Sequence, residues 1–138
     1  MNALHTMMHR LHNTDLGILF LRIALGVVFL HAGWLKVGDM TPVLAGFGSL
    51  GIPVWLSYFV AYAELVAGVA LLLGIFVRYF GILLAIIMFV AAAKVHFANG
   101  FGLQNSGYEY TFVLFFGSLA MVTLGSGKYS LACLLRKK

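Results

Sequence analysis

Long apolar runs broken by short polar stretches set the plan of this chain. The runs cover residues 16–35, 55–75, 79–97 and 108–125. Each comes close to the about 20 residues that a helix needs to cross a hydrocarbon layer. In lipid the backbone must satisfy its own hydrogen bonds, and four spans cannot close a barrel, so the pattern predicts four transmembrane helices. Between the first two lies "GDMTPVLAGFGSLGIPV", whose glycines and two prolines interrupt any long helix. This stretch predicts a short interfacial or re-entrant segment over the mouth of the bundle. "GIFVR" predicts a tight turn between the second and third spans, and "NGFGLQNSG" an uncharged loop between the third and fourth. The expected fold class is all-α: an integral membrane four-helix bundle forming one domain over residues 1–138.

Composition agrees. The chain is 62% hydrophobic and 9% charged, with a mean hydropathy of +1.01. A soluble domain of this size has too little interior to hide so much apolar surface. The formal charge of +5 would suggest nucleic acid in a soluble protein. Here Lys128, Arg136, Lys137 and Lys138 cluster after the last apolar run, which makes residues 126–138 a basic tail that meets anionic lipid, not nucleic acid. Residues 1–15 are polar and His-rich and read as a disordered, amphipathic cytoplasmic lead-in. The apolar run after them is too long for a signal-peptide core and no A-x-A site follows, so it is expected to remain as the first span. Outside the spans, Arg10, Arg78, Lys128, Arg136, Lys137 and Lys138 fall on one side and Lys36 alone on the other. The positive-inside rule therefore places both termini in the cytoplasm.

Small and polar residues mark helix contacts in membranes. Arg22, Gly26, Phe29, Gly33 and Lys36 form such a stripe in the first span. Ser57, Ala61, Glu64, Gly68 and Leu71 do so in the second, and Gly81, Ala85, Ala92 and His96 in the third. The three stripes carry Arg22, Glu64 and His96 inward. At 1.5 Å per residue, Arg22 sits roughly 10 Å above one boundary and Glu64 roughly 12 Å below the other. Their backbones then differ in height by about 8 Å, which an arginine spans, so Arg22 is expected to pair with Glu64. Either the pair fixes helix register, or Glu64 accepts a proton or orients a ligand. Arg22, Glu64, Lys94 and Glu109, the charges deepest in the spans, sum to zero. Lys94 is expected to snorkel outward, and Glu109 to favour the start of the fourth helix.

Other chemistry is weaker. His31 and His96 lie at similar depth, but His31 is about 180° around its helix from Arg22, which speaks against a bis-histidine haem. His5, His9 and His12 have helical spacing without cysteine or carboxylate partners, so no metal site is expected. "GSGKYS" lacks the upstream glycine of a phosphate loop. Cys133 is the only cysteine, which excludes an intramolecular disulfide or dithiol exchange within this chain.

"LRIALGVVFLHAGWLKV", "GSLGIP", "AELVAGVALLLGIFVR", "HFANGF" and "GSGKYSL", in that order and spacing, give the chain from about Leu16 to Leu131 a clear likeness. It resembles the DoxX family of small four-helix bacterial and archaeal membrane proteins. Relatives often carry an aspartate shortly after the last motif, where this chain has "LACLL". The resemblance implies an inner-membrane location, links to quinone-coupled sulfur oxidation and oxidative-stress complexes, and a role as a subunit rather than a complete enzyme. The sequence thus leads to an outward-facing polar pocket lined by Arg22, Glu64, His96, Lys36 and Glu109, with apolar walls from Phe29, Phe47, Trp55 and Phe89. Its ligand would be a quinone or a similar small amphipathic molecule. A small transporter or a lipid-binding scaffold is the alternative, and a homo-oligomer or redox partner proteins are candidate assemblies. Topology is open to direct test: reporters fused at Asn99 and at Lys138 are expected on opposite sides of the membrane, and the same side for both would end the four-span arrangement.

Overall fold

The computed structural model describes residues 2–138. They form seven α-helices: α1 (Asn2–Leu11), α2 (Thr14–Gly38), α3 (Thr41–Ser49), α4 (Val54–Leu73), α5 (Val77–Ala91), α6 (Glu109–Leu124) and α7 (Leu131–Arg136). A π-helical turn, Ala92–His96, and a short 3-10 turn continue α5 to Asn99. Three helices, Thr14–Gly38, Val54–Leu73 and Val77–Asn99, are long and apolar enough to cross a membrane. The fourth apolar helix, α6, has 16 residues. At about 24 Å it is shorter than a hydrocarbon core of about 30 Å. Aromatic rings lengthen its apolar band: Tyr108 packs on Phe97 at 5.7 Å and on Phe101 at 5.2 Å between centroids.

The bundle is built from two antiparallel hairpins. α2 packs mainly on α4, and α5 on α6, while the two pairs meet less extensively. Glycines explain the first pairing. A Cβ on Gly33 would collide with the backbone of Leu65, and one on Gly68 with the backbone of Leu30. The two helices therefore touch backbone to backbone, where dispersion and close packing replace the absent hydrophobic drive. Gly81 brings α5 close to α6, though less tightly: a Cβ there would lie 3.0 Å from the Ser118 carbonyl oxygen. All five residues of the small-residue stripe in α4 are buried, as are Arg22, Gly26, Phe29 and Gly33 in α2.

One end of the bundle, called here the terminal end, gathers the start of α2, the α4–α5 turn and the exit from α6. The turn is tight because α4 closes with a Schellman cap. Gly74 takes a left-handed φ of 74°, Ile75 N–H donates to Ala70 O at 3.0 Å and Gly74 N–H to Leu71 O at 3.2 Å. The exit is tied back by Asp15, whose Oδ1 accepts the Lys128 N–H at 2.9 Å. At the far end, α3 begins with a proline in its first turn and has no buried residues, as suits a segment lying over the bundle rather than through it.

Residues 2–11 are helical, not the disordered lead-in that their polarity predicts. Leu4, Met7 and Met8 are exposed and share one face by their i, i+3, i+4 spacing, which makes α1 an amphipathic helix of the interfacial type. Asn13 separates it from α2 and caps that helix, its side chain accepting from Leu16 N–H at 3.0 Å.

The glycine contacts give a contrast in stability. Gly68→Ala is expected to cost about 1–3 kcal/mol because a backbone cannot move aside. Gly46→Ala, with nothing within 4 Å of its Cβ, is expected to be neutral or slightly stabilising. Unfolding in mixed micelles separates the two, and equal effects would remove the backbone contact as the cause.

Candidate functional site

Arg22 does not meet Glu64. Its guanidinium is buried at the terminal end, 2% exposed, and donates to four backbone carbonyls. Nε reaches Leu71 O at 2.8 Å and Nη2 reaches Leu72 O at 3.0 Å. Nη1 reaches Ser126 O at 2.7 Å and Tyr129 O at 2.8 Å. Leu71 and Leu72 belong to the last turn of α4, whose carbonyls lack full intrahelical partners and carry the negative end of the helix dipole. The arginine finds its counter-charge there instead of on an acid. It is a structural clasp joining α2, the end of α4 and the exit of α6.

Glu64, 1% exposed, forms its ion pair with Lys36, whose side chain remains 28% exposed. The lysine sits in the last turn of α2 and reaches back into the bundle, as a long aliphatic stem permits. Glu109 is exposed and accepts the Leu103 N–H at 3.1 Å. It fastens the loop after α5 to the start of α6.

Between the two hairpins lies a cavity of about 560 Å³. Its walls are mostly apolar: Phe29 from α2, Phe47 from α3, Val60 from α4, Met88 from α5 and Leu114 from α6 are representative. Five polar side chains line it: Lys36, Glu64, His96, Tyr110 and Thr111. Phe59, Ile86, Val90 and Tyr110 line the cavity and are also exposed on the outer surface, so the space reaches the lipid-facing side. Toward the terminal end it stops above the Arg22 clasp. Of the residues expected from sequence, the structure brings Lys36, Glu64, His96, Phe29 and Phe47 together, whereas Arg22, Glu109, Trp55 and Phe89 lie outside. Trp55 is 68% exposed, and Phe89 packs outward against Phe115 at 5.9 Å.

The π turn positions His96. A wider turn inserts one residue's worth of rotation, a device that recurs at functional sites. His96 Nδ1 lies 2.8 Å from Ser106 O. A carbonyl only accepts, so Nδ1 carries the proton, and in the neutral ring Nε2 keeps the lone pair. Asn99 Nδ2 donates to the same oxygen at 3.2 Å. Lys94, two residues earlier, is exposed, as is His31. Thr111 spends its hydroxyl on Tyr108 O at 2.9 Å. Among the described residues, Tyr110 has no hydrogen-bond partner for its own. Tyr110 and Thr111 were not singled out from the sequence as lining residues, because they sit in a run of aromatics with no periodic polar signal. Among the described residues, no group of three or more His, Cys, Asp or Glu is placed to hold a metal.

Comparison with known proteins agrees with this architecture. The DoxX family model matches residues 17–97, more than half of the chain. The protein belongs to the DoxX family. This DoxX chain is 31% identical over 100 residues to a Bacillus subtilis protein named "Putative oxidoreductase CatD", covering 72% of this chain and 74% of the relative. It is 27% identical over 124 residues to the "Inner membrane protein YqjF" of Escherichia coli, covering 90% and 95%. No solved structure matches.

The two charged sites should behave independently. Arg22→Met is expected to cost about 3 kcal/mol or more, because it removes the side-chain donor that four backbone carbonyls share and leaves Leu71 O only its bond from Gly74 N–H. Combined with Glu64→Gln, its cost should add to within about 0.5 kcal/mol, since the two residues share no partner. Combining Lys36→Met with Glu64→Leu should instead recover much of either single loss. A strong coupling between Arg22 and Glu64 in such a cycle would restore the pairing expected from sequence.

Proposed function

We propose that this DoxX protein is a redox-associated accessory or subunit of the inner membrane, with both termini in the cytoplasm. In this reading, the cavity between its hairpins binds a quinone or a similar small amphipathic molecule. The observation that carries the reading is the cavity itself: mostly apolar walls, a few polar groups on one side, and an edge that reaches the lipid surface. That is the arrangement a small amphipathic ligand needs, with apolar area for burial and few groups for orientation. Lys36 can donate to a carbonyl oxygen, Tyr110 can donate or accept, and His96 can accept a hydrogen bond at Nε2. Glu64 holds Lys36 in place. The oxidoreductase in the name of CatD and the membrane location in that of YqjF support the same direction. With Cys133 as its only cysteine, the chain would act with redox partner proteins rather than as a complete dithiol enzyme.

The reading favours a binding pocket over a transport path. Toward the terminal end the cavity's lining stops at Val28 on α2 and Leu83 on α5, and beyond it Arg22 is buried against four backbone carbonyls, which supports a pocket open to one side over a path through the bundle.

Binding of a short-tailed benzoquinone, followed by calorimetry in detergent, tests the proposal. The parent is expected to bind, Glu64→Gln and His96→Ala to bind about tenfold more weakly, and Leu114→Trp to lose binding by filling the cavity. Each variant is first checked for its thermal midpoint. Equal affinity in all four proteins would overturn the quinone reading. Co-purification of an acyl chain in the cavity would favour the lipid-binding scaffold.

A further inference from the structure

A second cavity, of about 370 Å³, lies at the terminal end, well away from the first. The α4–α5 turn, the exit of α6 and α7 enclose it. Two arginines line it: Arg78 from the first turn of α5 and Arg136 from the end of α7. Among the described residues, neither has a carboxylate or hydrogen-bonded partner, and no acidic side chain lines the space. Gly125 makes room for the Arg78 guanidinium, since a Cβ there would come within 3.1 Å of its Nε.

The rim is apolar. Phe76 is 68% exposed and Tyr79 74%, and Leu135 on α7 is exposed beside Arg136. Aromatics at the end of a span sit at headgroup level, where one side is apolar and the other wet. Arg78 and Arg136 are exposed and line one concave site without an acid, so both guanidiniums are available to an anion, and their fork geometry suits phosphate oxygens. The uncapped first turn of α5 contributes potential of the same sign, but the two guanidiniums do the recognition.

We infer that the cleft between the α4–α5 turn and α7 is a binding site for the phosphate of an anionic glycerophospholipid, gripped by Arg78 and Arg136 with the acyl chains running along Phe76, Tyr79 and Leu135. The neighbouring Lys128, Lys137 and Lys138 would attract anionic membrane generally. Arg78, which lies 58 residues before Arg136 in the chain, turns that attraction into a site with a defined stoichiometry. A free phosphate shares the headgroup's chemistry but gains nothing from the apolar rim, so lipid is the expected source.

Native mass spectrometry of the full chain in detergent, titrated with dioleoylphosphatidylglycerol and with dioleoylphosphatidylcholine, tests this. One phosphatidylglycerol is expected to remain bound per chain, in preference to phosphatidylcholine. Arg78→Gln and Arg136→Gln should each weaken it about tenfold, while the Lys137→Gln/Lys138→Gln double variant should stay within about twofold of the parent. Thermal midpoints without added lipid show whether each variant is folded, and Arg78→Lys, which keeps the charge but loses the fork, should fall between parent and Gln. No retained lipid in the parent, or an equal loss in the lysine double variant, would overturn the site. Displacement of the lipid by millimolar inorganic phosphate would overturn the lipid assignment.

Discussion

A buried guanidinium with no acid beside it constrains the whole bundle. Arg22 lies inside a helix that must cross lipid, where an uncompensated charge is costly. The protein answers with peptide dipoles: four carbonyls from the end of α4 and the exit of α6 converge on it. Leu71 O and Leu72 O gain from it as well, because the last turn of a helix leaves its carbonyls without full intrahelical partners. A Cβ at position 74 would press on the guanidinium, so the left-handed glycine that ends α4 also makes the clasp possible. One interaction thus terminates α4, fixes the height of α2 against it and draws the chain leaving α6 into the same knot.

That knot closes one end and leaves the other free to open. The α2–α4 pair is held by backbone contact at Gly33 and Gly68, and the α5–α6 pair by Gly81. Across the seam between pairs, Gly117 on α6 meets only the Leu25 side chain of α2, with no backbone contact of the Gly33 or Gly68 kind among the described residues, and there the bundle parts to form the larger cavity. The two buried charges are segregated accordingly. Arg22 serves the closed end through the backbone, whereas the Lys36–Glu64 pair stands in the wall of the open one. A carboxylate on α4 is tolerated in the bundle because a lysine from the far end of α2 bends back to it.

Much of this plan was legible in the residues. Each apolar run predicted from hydropathy lies within two or three residues of a helix, and the small-residue stripes of α2 and α4 are the faces that meet. The short helix between them was foreshadowed by prolines and glycines. The partner of Arg22 was not legible, because a backbone carbonyl leaves no mark in sequence, and height alone pointed to the nearest acid. Lys36 was counted among residues outside the spans because helix length does not reveal which way a flexible side chain turns. The π turn carries no propensity signal in "AAKVH", and Tyr110 is one aromatic in a run of them. Helix α1 was missed because its apolar face is three residues wide.

The π turn before the loop has a genetic consequence. Such a turn is an ordinary helix with one residue too many, and removing a single codon between Ala92 and Val95 would restore regular α-helix. Everything downstream in that segment would then rotate by about 100° and shift by about 1.5 Å. His96 would leave the cavity wall, and its hold on Ser106, which seats the following loop, would break. The histidine's place is therefore encoded by chain length as much as by its own identity. A homologous chain that kept the histidine but lacked the extra residue would present it to lipid instead of to the cavity.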